Sequence, residues 1–277
     1  MLRFLFRPVF CGRLFGIPVL VAPAVFVLVL LALLAAAGES QMAAVNVFLL
    51  LGILGVALLV HEFAHALVAR KLGLKVLDIT IWPLGGMARM EGLSGQPSRE
   101  AIVAAAGPLS NLALAGVCAF LPGNLGQAAL FMNLILGLGN LVPAFPLDGG
   151  RLLRAWLALR SPVVDATYAA VRLAKAIALL ALLFGFWGSS LWIGVVLAIY
   201  LWWSGQAEFI QVMLREGQRP SLTTTEVWRR ACYPFFGGSP PAVDVESPPP
   251  HHAPSVDEEL ENFHGPMEQF FKERDSK

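Results

Sequence analysis

Charge is scarce in this chain: 14% of its 277 residues are Asp, Glu, Lys or Arg, against about a quarter in a soluble domain. A solvated globular surface cannot be built from so few. The net charge is +1 with no basic stripe, which excludes nucleic acid as a partner. Cysteine is equally sparse. Cys11, Cys118 and Cys232 are scattered without a CxxC pair, which excludes a disulfide framework and a thiolate zinc site and leaves Cys118 as a packing residue. Of five histidines, His251, His252 and His264 lie in a polar tail, so only His61 and His65 belong to the hydrophobic part.

What is abundant is apolar sequence, 57% of the residues, with a mean hydropathy of +0.67. Stretches able to cross a bilayer of about 30 Å run over residues 17–37, 42–68, 101–121, 125–145, 164–187 and 191–212. The expectation is an all-α polytopic membrane protein with about six transmembrane helices, a short re-entrant β-hairpin and a disordered C-terminal tail. Arg3, Arg7 and Arg13 precede the first segment in the manner of a signal peptide, but that segment is too long and has no convincing cleavage site. It reads as a retained helix. With the N-terminus in the cytoplasm, all 20 Lys and Arg residues fall on the cytoplasmic side or in cytoplasmic helix ends, and the outer loops carry only Glu39, as the positive-inside rule requires. The implied location is the cell membrane, with both termini cytoplasmic. Arg172 and Lys175 in the fifth crossing must snorkel toward the interface.

The second crossing ends in His61-Glu62-Phe63-Ala64-His65. Two histidines four apart share one helix face about a turn apart, and the glutamate between them can reach a metal-bound water. Three polar side chains on one turn at membrane depth cost several kcal/mol unless something compensates them. A divalent cation does so, and the ligand types point to zinc, one per chain. His61 lies about 14 Å along the helix from its cytoplasmic end, at about 1.5 Å per residue.

Three later segments interrupt the apolar pattern. Val76 to Trp82 favours strand, Pro83-Leu84-Gly85-Gly86 breaks it, and Met87 to Glu91 follows, which reads as a hairpin. Against lipid its edge must be shielded or line a wet cavity, and a free edge could pair with an unwound substrate segment. Gly107-Pro108-Leu109-Ser110-Asn111 places a helix-interrupting proline and two polar residues in the third crossing. Asn111 is either an interhelical hydrogen-bonding group or one that orients substrate. Asn140 to Gly150 holds two prolines, two glycines, an amide and a carboxylate, so continuous helix is not expected there.

A catalytic zinc takes three protein ligands and leaves a position open. The acids at or near the cytoplasmic half are Asp78, Glu91, Glu100, Asp148, Asp165 and Glu208. Only Asp148 lies in a proline- and glycine-broken span at the depth of the histidines. From Arg215 the chain is polar and proline-rich, giving a membrane-embedded domain over residues 1–214 and a mostly disordered cytoplasmic tail over 215–277. Residues 258–272 can form an amphipathic helix that docks on a membrane or a partner, with Leu260, Phe263, Met267, Phe270 and Phe271 on one side.

HEFAH together with Asn140-x-x-Pro143-x-x-x-Leu147-Asp148-Gly149 resembles the site-2 protease family of intramembrane zinc metalloproteases, in its compact subgroup without a PDZ insertion. Pro83 to Gly86 and Gly107 to Asn111 are similar to two further landmarks of that family, and the resemblance covers about residues 16–214. It implies zinc ligands at His61, His65 and Asp148, a general base at Glu62, and substrate-positioning roles for Asn111 and Asn140. The implied substrate is a transmembrane helix of another protein, cut within or near the bilayer. A regulatory partner at the tail and self-association are left open. A prenyl-protein protease would take a glutamate from a later helix as third ligand, and a zinc carrier or silent scaffold would carry more polar residues along several helices or lack Glu62. Neither pattern is present.

Overall fold

The computed structural model describes residues 5, 7–83, 85–93, 95–187 and 191–236. After two strands, β1 (Val9–Leu14) and β2 (Ile17–Val21), the chain forms α1 (Pro23–Glu39) and α2 (Gln41–Lys71). A hairpin of β3 (Lys75–Trp82) and β4 (Gly85–Glu91) follows, then α3 (Pro97–Cys118), α4 (Gly123–Asn140), α5 (Asp148–Ala158), α6 (Val163–Trp187), α7 (Leu191–Glu216) and α8 (Thr224–Phe236). Helices α2, α3, α6 and α7 are each long and apolar enough to cross a membrane. The protein is a mostly helical membrane protein with a small sheet.

Helix α2, which carries the HEFAH motif, has well-defined ends. Ser40 Oγ accepts from Ala43 N at 3.0 Å at its start, an N-cap that satisfies one otherwise unpaired donor. At the other end Gly73 adopts φ +78°, while Leu74 N bonds to Ala69 O and Gly73 N to Arg70 O. These are the 6→1 and 5→2 bonds by which a left-handed glycine stops a helix.

The sheet departs from the expected all-α chain. Its order is β1-β2-β3-β4, antiparallel at β1–β2 and β3–β4 and parallel between β2 and β3. The hairpin is where sequence places it. Ile17–Val21, expected as the start of the first crossing, is instead a strand, because its residues pair with Ile79–Ile81 and Pro23 opens the helix two residues later. Ile17 and Ile79 pack with Phe63 and Ala66 of α2. Arg70 Nη1 donates to Phe15 O at 2.7 Å, so the sheet is fastened to the helix that carries the histidines.

The break expected after Asn140 is present: α4 stops there and α5 begins at Asp148. Irregular backbone at membrane depth is tolerated only where protein surrounds it, and here Ala144 and Phe145 are both buried. A Cβ on Gly149 or Gly150 would collide with the backbone of Leu141, Val142 or Ala144. The glycine pair therefore lets the loop fold back on the helix it precedes. Arg154 then ties α5 to two neighbours, pairing with Glu100 of α3 and Glu208 of α7.

Residues 215–236 also differ from expectation, since they are not a disordered stretch. Helix α8 opens with a capping box in which Glu226 Oε2 accepts from Thr223 N at 2.8 Å and Thr223 Oγ1 accepts from Glu226 N at 3.3 Å. The Thr223 hydroxyl, which also donates to Glu226 Oε2 at 2.7 Å, and the Thr223 N–H together hold the exposed Glu226 carboxyl below its ordinary pKa. Buried Val227 and Ala231 pack against Leu157 and Ala166, and the Asp165 carboxylate accepts from Ser221 N, Ser221 Oγ and Leu222 N. The expected helix at 258–272, with His251 and His252, lies outside the described residues. In α6, Lys175 Nζ stands 4.8 Å from the Trp202 ring centroid, a cation–π contact that eases its placement in an apolar helix.

Candidate metal centre

His61 and His65 both project from α2 toward the first residue of α5. His61 Nε2 lies 3.0 Å from Asp148 Oδ2, His65 Nε2 lies 3.1 Å from the same oxygen, and the two Nε2 atoms are 3.1 Å apart. All three residues are buried. Asp148 stands in the first turn of α5, where the helix dipole favours a carboxylate.

The other ring nitrogens decide what this triangle can hold. His61 Nδ1 is 2.6 Å from Asn111 Oδ1, and His65 Nδ1 is 2.7 Å from the carbonyl oxygen of Val103. Asn111 Nδ2 is used as a donor to Ala57 O and Asn133 Oδ1, so its oxygen faces His61. Both contacts are to acceptors, which puts the proton of each neutral imidazole on Nδ1 and leaves each Nε2 a bare lone pair. Two lone pairs and a carboxylate oxygen then converge about 3 Å apart with no proton between them. Such a cluster is repulsive without a cation, and its donor set and tautomers suit zinc.

The rival acids are occupied elsewhere. Asp78 pairs with Arg89 and accepts from Thr80 Oγ1, and its carboxylate raises the Arg89 pKa above the ordinary value. Glu91 pairs with Lys75, Glu100 and Glu208 pair with Arg154, and Asp165 caps the 221–222 turn. Among the described residues, His61, His65 and Asp148 alone form a group able to hold a metal ion.

Helix α3 reaches the histidines because residue 107 has no side chain. A Cβ there would fall 2.7 Å from His61 Nε2 and closer still to His65 Nε2. Glu62, also buried, lines a pocket of about 100 Å³ with both histidines, Asp148, Asn140 and Arg151. Asn140 reaches that pocket from the end of α4, while its Nδ2 donates back to Leu136 O at 2.9 Å.

Asn111 stands behind His61 rather than on the pocket wall. It is fully buried, does not line the pocket, and spends its polar atoms on His61, Ala57 and Asn133, so the interhelical alternative is the one its geometry supports. Asn133, missed by sequence reasoning, completes the chain by donating to Ala129 O. Its signal was a lone amide in an apolar segment. Replacing Asn111 by Ala frees the His61 ring and leaves its Nδ1–H unpaired. Zinc affinity is expected to fall by about 10–100-fold, as read by competition with a chromogenic chelator; unchanged affinity would remove the orienting role.

Known proteins are similar to this chain in sequence and in structure. A profile of peptidase family M50 matches residues 49–127 and 121–183. The solved structure of the site-2 protease from Methanocaldococcus jannaschii is 30% identical and superposes with a TM-score of 0.54, covering 73% of this chain and 95% of that one. The chain belongs to the site-2 protease family.

Curated site-2 protease relatives include the zinc metalloprotease MJ0392 of Methanocaldococcus jannaschii, 34% identical over 165 residues, which are 56% of this chain and 48% of the relative. The putative zinc metalloprotease Rip3 of Mycobacterium tuberculosis is 38% identical over 142 residues, 47% of this chain and 36% of the relative. The chain thus spans about half or less of the length of these two relatives.

Proposed function

We propose that this protein is an intramembrane zinc metalloprotease that hydrolyses a peptide bond within or near a transmembrane helix of another membrane protein, in regulated intramembrane proteolysis. The observation that carries the reading is the convergence of two bare imidazole lone pairs and the Asp148 carboxylate beside Glu62. His61, His65 and Asp148 would hold one zinc ion. When bound, zinc supplies Lewis acidity to a water molecule and to the scissile carbonyl. Glu62 takes the proton of the attacking water on its carboxylate and returns it to the departing amine nitrogen. Asn111 and Val103 keep both rings in the tautomer that presents Nε2. Asn140, on the pocket wall, orients the substrate backbone.

Substrate reaches the site in extended form, because the peptide bonds of an intact helix are screened by its own side chains and hydrogen bonds. Strand β4 supports this step. Among the described residues it pairs only with β3, and its Gly86, Met87 and Ala88 line the catalytic pocket. An unwound segment can add to that edge and deliver its backbone to Glu62.

The reading includes six crossings, with α1 and α4 added to the four longer helices and the hairpin re-entering the membrane from the cytoplasmic side. Exposed Leu28, Leu31 and Leu34 on α1 and Phe131, Ile135 and Leu138 on α4 suit contact with lipid. Reporter fusions after Ser40 and Gly123 are expected to report outside the cell; a cytoplasmic signal at Gly123 would undo the map. Proteolysis itself is tested with purified protein and a single-pass substrate in detergent. Cleavage is expected to stop on chelation and return with zinc, and cleavage that persists in chelator would overturn the assignment.

A further inference from the structure

Arg151 is unexplained by the arrangement so far. It stands one turn beyond Asp148 on α5, on the same side of the helix by its spacing, and it is half-buried. It lines the catalytic pocket with His61, Glu62 and His65, where it is the only Lys or Arg among the lining residues. It also lines an adjoining cavity of about 570 Å³ bounded by β4 and by Glu208 and Gln211 of α7. The residue therefore stands where the two cavities meet, beside Met87, Ala88 and Met90 of β4.

Among the described residues, no carboxylate lies within ion-pair distance of Arg151. Arg154, a turn further on, shows what a structural arginine on this helix does: it pairs with both Glu100 and Glu208. The Arg151 charge acts on Glu62 and Glu208 through space, without a direct ion pair that would commit its donors to a carboxylate. Such a cation is useful where negative charge appears only during reaction, since donors already in place then act on the transition state more than on the substrate.

We propose that Arg151 is a catalytic residue of this pocket: its guanidinium donates to the oxygen of the scissile carbonyl as negative charge builds there, and then to the carboxylate that cleavage leaves. The inference rests on the proteolytic reading above. In the step, the water oxygen bonds to the carbonyl carbon, the carbon–nitrogen bond breaks with its electron pair going to nitrogen, and both water protons reach that nitrogen in turn through Glu62, leaving a carboxylate and an ammonium. The carbonyl oxygen ends as one of two carboxylate oxygens. Arg151 stays protonated throughout and exchanges no proton. A planar fork of donors suits both the single oxygen and the carboxylate, whereas lysine offers only a point charge.

The test uses the full chain loaded with zinc. Arg151→Ala is expected to lower kcat by about 10²–10³-fold with little change in KM, and Arg151→Lys to recover part of the loss, while zinc content stays at the wild-type level. A second measurement needs no turnover. In zinc-loaded Glu62→Gln protein, a product peptide ending in a carboxylate is expected to bind more tightly than its carboxamide, and adding Arg151→Ala is expected to reduce that preference by about tenfold, as for loss of one charge-assisted hydrogen bond. Should Arg151→Ala lose zinc, Arg151→Gln carries the same comparisons. A kcat within about twofold of wild type, a loss confined to KM, or an unchanged carboxylate preference each overturns the proposal. Failure of the wild type to cleave counts against the proteolytic reading instead, and the peptide comparison still reads Arg151 on its own.

Discussion

Replacing Glu62 by Gln lowers cleavage of a co-expressed single-pass substrate by about 10²–10⁴-fold while the purified protein keeps its zinc. Glu62 lies between the two histidines in sequence and lines the pocket they share, yet it is not part of the group of three that can hold a metal. The amide has nearly the same shape and still forms hydrogen bonds, but it has no basic oxygen to receive the water proton. The change therefore separates proton transfer from metal binding. Immunoblotting of substrate and product measures the first, and metal analysis of the same preparation measures the second. Wild-type cleavage by Glu62→Gln would remove the general-base assignment; loss of zinc would make Glu62 a ligand instead.

Asp148→Ala has the opposite signature: zinc content and cleavage fall together. Deleting the carboxylate leaves two neutral imidazoles whose Nε2 atoms are 3.1 Å apart, too few ligands for a tightly held catalytic zinc. None of the acids considered as rivals can step in without abandoning a present partner. Moving Glu100 or Glu208 would take from buried Arg154 one of its two carboxylate partners. Affinity for zinc is expected to drop by at least about 10²-fold, since removing a ligand should cost more than the 10–100-fold typical of its outer partners. Wild-type zinc content in Asp148→Ala would withdraw the third-ligand assignment while leaving His61 and His65 in place.

The site was more legible in the sequence than the fold around it. His61, Glu62 and His65 lie on a single helical turn, so their relation follows from helix geometry alone, and Asp148 could be singled out because prolines and glycines break the helix before it. The sheet was not legible to the same degree. Ile17–Val21 runs almost directly into the apolar helix beginning at Pro23, so hydropathy merges the two, and the residues that make it a strand are Ile79–Ile81, about sixty positions later. Asn111 was visible as a polar residue in an apolar helix, but its partners His61 and Asn133 come from two other helices. Only the packing of α2, α3 and α4 shows that it supports a histidine from behind. Helix α8 was obscured by its composition: with Arg229, Arg230 and Glu226 in thirteen residues, it has one narrow apolar face and no hydrophobic run.

The proposed convergence of α2 and α5 on one hydrolytic zinc ion is tested most directly by X-ray absorption at the zinc edge on purified, active protein, with Asp148→Ala and His65→Ala alongside. The account predicts one zinc per chain in the wild type, with two imidazole nitrogens and at least one carboxylate oxygen at about 2.0–2.2 Å, the oxygen signal altered in the first variant and one imidazole lost in the second. Active protein without zinc, or a wild-type spectrum preserved in both variants, would contradict it.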